Sequence, residues 1–211
     1  MITQCTGVIL AGGKNRRLPG VKKALLHVGG KRVIDHIYAV FTQLFEEIII
    51  VANDPEEFLA WDARIVSDVS PKRCSLAGIH AGLFYAKTPN IFVSACDTPF
   101  LNLELVRYIA SAIKPPLQVV IPETASGLEA LCAAYAKTCM KPIENNLAQN
   151  RLAIRAFFKP SRTKRIPATL LEKFDPGLNS FFNINTPEDL ARAEGMAAGH
   201  GACWPAGHAH I

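Results

Sequence analysis

The chain has no run of apolar residues near the roughly 20 that a membrane helix requires, so a membrane partner is not expected. Its start, MITQCTGVIL, has no basic n-region, and the opening apolar run ends at Gly12–Gly13, which does not read as a secretory signal. The six cysteines (Cys5, Cys74, Cys96, Cys132, Cys139 and Cys203) contain no C-x-x-C pair. Most lie in apolar stretches, which predicts reduced, buried thiols rather than a disulfide framework, and a cytoplasmic setting. Charged residues are only 19% of the chain, and the basic ones are dispersed, so a nucleic-acid-binding stripe is not expected. Gly 14 and Pro 14 are near average usage and exclude collagen-like or low-complexity classes. There is no internal repeat and no convincing Ser-His-Asp or Cys-His arrangement.

What remains is a hydrophobic content of 49% over 211 residues, enough for one domain that needs neither disulfide nor metal to fold. Apolar runs of strand length alternate with helical patterns. Strands are expected at Gly7–Leu10, Glu47–Asn53, Arg64–Asp68, Asn90–Asp97, Gln118–Pro122, Ala130–Ala136 and Ser180–Asn185. Helices are expected at Val33–Phe45, Leu76–Ala86, Leu103–Ile113 and over most of Cys139–Phe158. A last helix is capped by Thr186–Pro187–Glu188–Asp189, with Pro at its first position. This alternation predicts an α/β fold: a mostly parallel sheet between helical layers, a three-layer α/β/α sandwich of Rossmann-like type. The domain is expected to span residues 1–194. The Gly/Ala-rich residues 195–211 read as a flexible tail whose His200, Cys203, His208 and His210 match no zinc spacing.

In such sheets ligands bind beyond the carboxyl ends of the strands. The strand-end loops read LAGGKNRR, VAND, VSD and CDTPF. The first is not a dinucleotide fingerprint, because Gly12 and Gly13 are adjacent. Nor is it a Walker A loop, which would need Gly at Val8 and Ser or Thr at Asn15. It does match the L-A-G-G loop of nucleotidyltransferases, followed by Arg and then Lys. Two residues without Cβ let backbone lie close to a purine and a triphosphate. Loop N–H groups then face phosphate oxygens, Arg17 grips phosphates with its planar fork, and Lys23 places a charge near the α-phosphate. Asp97 and Asp68 end strands and have the chemistry to hold Mg²⁺, which keeps several waters and takes one or two protein oxygens.

The set LAGG (Leu10–Gly13), Arg17, Lys23, VAN (Val51–Asn53), SLAG (Ser75–Gly78), CDTPF (Cys96–Phe100), EALCAAY (Glu129–Tyr135) and FFNINTPEDL (Phe181–Leu190) resembles the molybdenum cofactor guanylyltransferase family, MobA, up to about Glu194. The resemblance implies a GT-A-like nucleotidyltransferase fold. It also implies Mg²⁺-dependent transfer of GMP from GTP to the terminal phosphate of molybdopterin or its molybdenum-loaded form. The products would be molybdopterin guanine dinucleotide and pyrophosphate. Carried over, Leu10, Ala11, Gly12, Gly13, Lys23, Asn53, Asp68 and Asp97 would contact GTP. Asp97 would bind Mg²⁺, Arg17, Lys23 and Asp97 would form the catalytic set, and Arg151, Asn183 and Asn185 would face molybdopterin. Transient contacts with proteins that deliver molybdopterin and mature molybdoenzymes are implied as well. Alternatives within the superfamily are a cytidylyl or sugar-phosphate transferase, and a non-catalytic cofactor-binding member. Gly12 favours guanine, since cytidylyl relatives tend to read L-A-A-G. The chain departs from the family's R-M-G-x-D-K pattern at Pro19 and Lys22, and from its E-P-L core at Ala130.

Overall fold

The computed structural model describes residues 1–12 and 22–199. Gly13, Arg17, Pro19 and the stretch 200–211 lie outside the described residues. In chain order the elements are β1 (Cys5–Leu10), β2 (His27–Val28), β3 (Lys31–Arg32), α1 (Val33–Thr42), β4 (Ile48–Val51), β5 (Arg64–Val66), α2 (Ser75–Tyr85), β6 (Asn90–Ala95), α3 (Leu103–Ala112), β7 (Val119–Thr124), β8 (Gly127–Leu128), β9 (Cys132–Ala136), α4 (Met140–Ala148), β10 (Thr163–Pro167), α5 (Ala168–Leu171) and α6 (Pro187–Gly199).

One sheet carries the order β10-β7-β9-β6-β1-β4-β5, with β8 paired to β7. β1 pairs in parallel with β4 and β6, and β4 with β5. β9 alone runs antiparallel to both its neighbours, β6 and β7. The β-branched run Ile48–Val51 is buried along its whole length, as a strand covered on both faces must be. Alternate residues feed two cores. Cys5, Ile9, Ile48, Ile50 and Phe92 join the residues of α1 and α3. Val8, Leu10, Ile49, Val51 and Val93 join those of α2 and α4. This is the three-layer α/β sandwich that the alternating pattern predicts. The chain leaves β1 toward β4 and β5, then returns to place β6 on the other side. The carboxyl ends of β1 and β6 therefore flank a topological switch point, where a crevice opens.

Two expected elements differ. The helix expected over Cys139–Phe158 covers only Met140–Ala148. Asn150 takes a left-handed φ of 56°, and the Asn150 and Arg151 N–H groups return to Leu147 O (3.2 Å) and Asn146 O (2.8 Å). That pair of bonds closes the helix as a Schellman motif. The strand expected at Ser180–Asn185 is absent. The Ser180 N–H donates to Asp175 Oδ2 (2.7 Å) and the Ile184 N–H to Asp97 O (2.9 Å), so the segment has no ladder partner. The sequence reading also missed the β2–β3 hairpin, turned by Gly29 and Gly30 at φ 57° and 78°. It missed β10 too, where only Ile166 is buried. Helix α6 continues to Gly199, and Met196 and Ala197 pack against the core.

Gly7 in β1 faces an aromatic cluster. The Phe41 and Phe45 rings meet edge to face at 5.1 Å, and Phe45 stacks on Phe92 at 6.1 Å. A Cβ on Gly7 would lie 2.6 Å from atoms of both Phe41 and Phe45. Because both rings are buried, neither has room to move. Gly7→Ala is therefore expected to lower stability by about 1–3 kcal/mol through overpacking. A thermal melt checks this, and the midpoint should fall by roughly 2–4 °C per kcal/mol at this chain length. An unchanged midpoint would show that the cluster yields.

Candidate active site

A cleft of about 550 Å³ opens at the carboxyl ends of β1, β4, β5 and β6, within the range of small-ligand pockets. Leu10, Ala11 and Gly12 form its floor, Asn53, Asp54 and Asp68 one side, Lys23, Asp97 and Asn185 the other, and Arg73, Ser75 and Gly78 the wall supplied by α2 and the loop before it. The strand ends stay zipped as they enter it: the Ala11 N–H donates to Val51 O and the Ala52 N–H to Val66 O, both at 2.9 Å. A Cβ on Gly12 would lie 3.0 Å from Asn53 Nδ2, so a larger residue here would press on Asn53.

Lys23 is the hub of the cleft. Its Nζ donates to Asp97 Oδ2 at 3.0 Å and to Asn185 Oδ1 at 2.6 Å. Each of these partners comes from a different part of the chain. Lys23 opens a 3-10 turn anchored by the buried Ala24. Asp97 follows β6, and its backbone carbonyl accepts from Ile184. Asn185 sits at the entrance of α6, where Asp189 Oδ2 accepts the N–H groups of Asn185 and Thr186 at 3.0 Å, and the Asp189 N–H returns to Thr186 Oγ1 at 3.2 Å. These N–H groups hold the Asp189 carboxyl below the usual range. The N-T-P-E-D motif is thus a helix cap that also aims Asn185 at Lys23. Farther back, the Asn102 N–H donates to Ser180 Oγ (2.9 Å) and Asn102 Nδ2 to Phe174 O (3.0 Å), tying the C-terminal segment to α3.

The second Asp97 oxygen, Oδ1, is buried and has no hydrogen-bond partner. A buried carboxylate oxygen without a partner is costly, and such atoms call for a missing ligand. A divalent cation fits this position. Among the described residues no group of three or more His, Cys, Asp or Glu side chains could hold a metal. A cation here would therefore take Asp97 plus water and ligand oxygens, the pattern usual for Mg²⁺.

Lys22, adjacent in sequence, points elsewhere. Its Nζ lies 2.6 Å from both Asp54 Oδ2 and Glu57 Oε1, and hydrogen bonds to those two carboxylates raise its pKa. The two lysines are therefore distinct in role: Lys23 serves Asp97, and Lys22 serves the rim. Asp68 is half-buried, and burial pushes its carboxyl above the ordinary range, opposed by the charge of Arg73. Burial likewise pushes the Cys96 thiol up to about 12, so it is no thiolate nucleophile. The five cysteines among the described residues are all free.

Leu10, Ala11, Gly12, Lys23, Asn53, Asp68, Asp97 and Asn185 are thus brought to one cleft. Arg151 and Asn183 do not line it. Both are exposed, with Asn183 Nδ2 donating to Phe181 O at 3.0 Å. Arg17 and Gly13 lie outside the described residues. The sequence reading missed Arg73 and Asp54; the available signal was an Arg just ahead of the SLAG helix and an Asp just past VAN. The site geometry predicts that Lys23→Met lowers unfolding stability by about 1–3 kcal/mol, because it strands a carboxylate that already has one unpaired oxygen. Adding Asp97→Asn should recover part of that loss, as a double-mutant cycle by urea denaturation would show. Strict additivity would contradict the pairing.

Comparison with known proteins follows the same line. Residues 7–166 match the model of the MobA-like NTP transferase domain. The chain is 42% identical over 189 residues to a molybdenum cofactor guanylyltransferase of Desulfosudis oleivorans, covering 90% of this chain and 94% of that one. It is 37% identical over 194 residues to a probable molybdenum cofactor guanylyltransferase of Pelotomaculum thermopropionicum, covering 92% and 94%. The crystal structure of molybdopterin-guanine dinucleotide biosynthesis protein A from Archaeoglobus fulgidus superposes with a TM-score of 0.81 at 30% identity, covering 92% of this chain and 99% of that one. The chain belongs to the molybdenum cofactor guanylyltransferase family, within the MobA-like NTP transferases, and is a nucleotidyltransferase.

Proposed function

We propose that this protein transfers GMP from GTP to the terminal phosphate of molybdopterin, with Mg²⁺, releasing pyrophosphate. The observation that carries this reading is the convergence of Lys23, Asn185 and the half-satisfied Asp97 on the cleft that Gly12, Asn53 and Asp68 also line. It is supported by relatives named for that activity.

In this reaction an oxygen of the acceptor phosphate bonds to the α-phosphorus of GTP, and the bond to the pyrophosphate oxygen breaks. The acceptor phosphate is already ionised at neutral pH, so no strong base is required. What opposes the reaction is repulsion between two anions and the charge that builds on the leaving group. Lys23 offsets that charge, and Asn185 fixes where the ammonium points. Arg17 is assigned a grip on the β- and γ-phosphates. Leu10, Ala11, Gly12 and Gly13 provide close backbone approach, and Asn53 and Asp68 take the nucleoside. Asp97 would hold Mg²⁺ through Oδ1, and the cation when bound supplies charge neutralisation on the phosphates. Asn185 marks the molybdopterin side of the cleft; Asn183 and Arg151, both exposed and outside the cleft lining, are assigned to molybdopterin with it. The free thiols suit a cytoplasmic setting. No helix among the described residues is long and apolar enough to cross a membrane. Transient docking with proteins that supply molybdopterin or receive the product is part of the same proposal.

The assay is pyrophosphate release from GTP, Mg²⁺ and molybdopterin. Asp97→Asn and Lys23→Ala are each expected to lower kcat by about 10²-fold or more. Lys22→Ala should stay within a few-fold of wild type, since that side chain is engaged at the rim. Chelation should abolish turnover and added Mg²⁺ restore it. Near-full activity of Asp97→Asn, or turnover that survives chelation, would refute the assignment.

A further inference from the structure

We infer that Arg73 reads the O6/N7 edge of the guanine base, and so sets the base specificity of this chain together with Asp68. This rests on the nucleotidyltransferase reading above and deepens it.

The cleft has a phosphate end and a distal end. Lys23 and Asp97 gather beyond β6 and β1, whereas Asp68 lies beyond β5. In the strand order β6-β1-β4-β5 these ends are three strand spacings apart, about 14 Å. That span suits an extended nucleotide whose phosphates meet Lys23 and whose base reaches the distal end.

The distal end holds an acceptor and a donor without hydrogen-bond partners among the described residues, although the charge of Arg73 also acts on the rim carboxylate Asp54. The side chains of Asp68 and Arg73 line the cleft there, and neither makes a hydrogen bond or ion pair among the described residues. They influence each other electrostatically without pairing. Arg73 is exposed and stands two residues ahead of α2, at the lip of the cleft that it helps to line. Guanine presents two adjacent acceptors, O6 and N7, which a guanidinium fork fits in bidentate fashion. Its N1–H and 2-amino donors complement a carboxylate. Cytosine presents an amino donor where guanine presents O6, so the same pair would leave groups unmatched against it. The neighbour Lys72 ties this loop to the end of α4 through Asn150 Oδ1 at 2.6 Å, which holds Arg73 near the rim.

Calorimetry with GTP, 7-deaza-GTP (carbon in place of N7), ITP (no 2-amino group) and CTP tests this on wild-type protein and on Arg73→Ala and Arg73→Lys. Wild type should bind 7-deaza-GTP about tenfold more weakly than GTP, the worth of one charge-assisted hydrogen bond at an open site. Arg73→Ala should lose about tenfold for GTP and no longer distinguish GTP from 7-deaza-GTP, while still discriminating against ITP. Arg73→Lys should restore the distinction only in part, since an ammonium can donate to O6 or N7 but lacks the planar fork. A thermal melt confirms that each variant is folded.

Equal weakening of GTP, 7-deaza-GTP and CTP in Arg73→Ala would overturn the inference, because it would place the guanidinium on phosphate. Wild-type GTP affinity in Arg73→Ala would overturn it too, leaving the guanylyl reading intact. Wild-type protein that prefers CTP to GTP would instead bring down the guanylyl reading, and the inference with it.

Discussion

The site depends on one ammonium group held by two partners from distant parts of the chain. Lys23 Nζ bonds to Asp97, which follows the middle strand of the sheet, and to Asn185, which opens the final helix. Charge at that point is useful only if it is fixed, because a lysine has a long flexible stem and loses rotamer freedom when ordered. Here two hydrogen bonds, and the buried Ala24 beside the lysine, hold the group. The rest of the architecture positions those three parts. The parallel strands bring Gly12 and Asp97 side by side, and the cap of α6 turns Asn185 inward.

This dependence explains why the last 30 described residues matter to a site whose other polar side chains lie in the first half of the chain. Ser180, Ile184 and Asp189 contain no reacting group, yet their hydrogen bonds to Asn102, Asp97 and the helix entrance decide where Asn185 stands. Lys22 shows the converse. It has the same charge one residue away and faces two rim carboxylates instead, so its substitution for the family's acid leaves the Lys23–Asp97 pair in place. Asp97 has one buried oxygen that lacks a partner, and in the proposed reading that atom is where a divalent cation would bind without a cluster of carboxylates.

Much of this was readable in the sequence. The run EIIIVAN could only be a doubly covered strand, and the strand–helix alternation and glycine loop placed a ligand crevice at the strand ends. Asp97 stood out because an acid ends a buried apolar strand, and Asp68 by the same logic. The N-T-P-E-D cap was legible because capping is local chemistry. What was not legible is non-local or weakly patterned. β10 has one buried residue, and the reversal of β9 leaves no trace in its apolar run. The segment before α6 looks like a strand but bonds to side chains. Asn150 ended α4 through a left-handed turn that its sequence does not announce. Arg73 was passed over because a lone arginine in a loop reads as solvated until the sheet order brings it to the cleft.

The central claim is that Asp97, Lys23 and a divalent cation meet on the phosphates of one nucleotide. A crystal structure with Mg²⁺ and a GTP analogue carrying a methylene bridge between the α- and β-phosphates addresses it most directly. The account predicts a cation about 2.0–2.1 Å from Asp97 Oδ1, with Lys23 Nζ within hydrogen-bond distance of a phosphate oxygen. A cation bound away from Asp97, or phosphates lying beyond β5 with the base at Lys23, would contradict it.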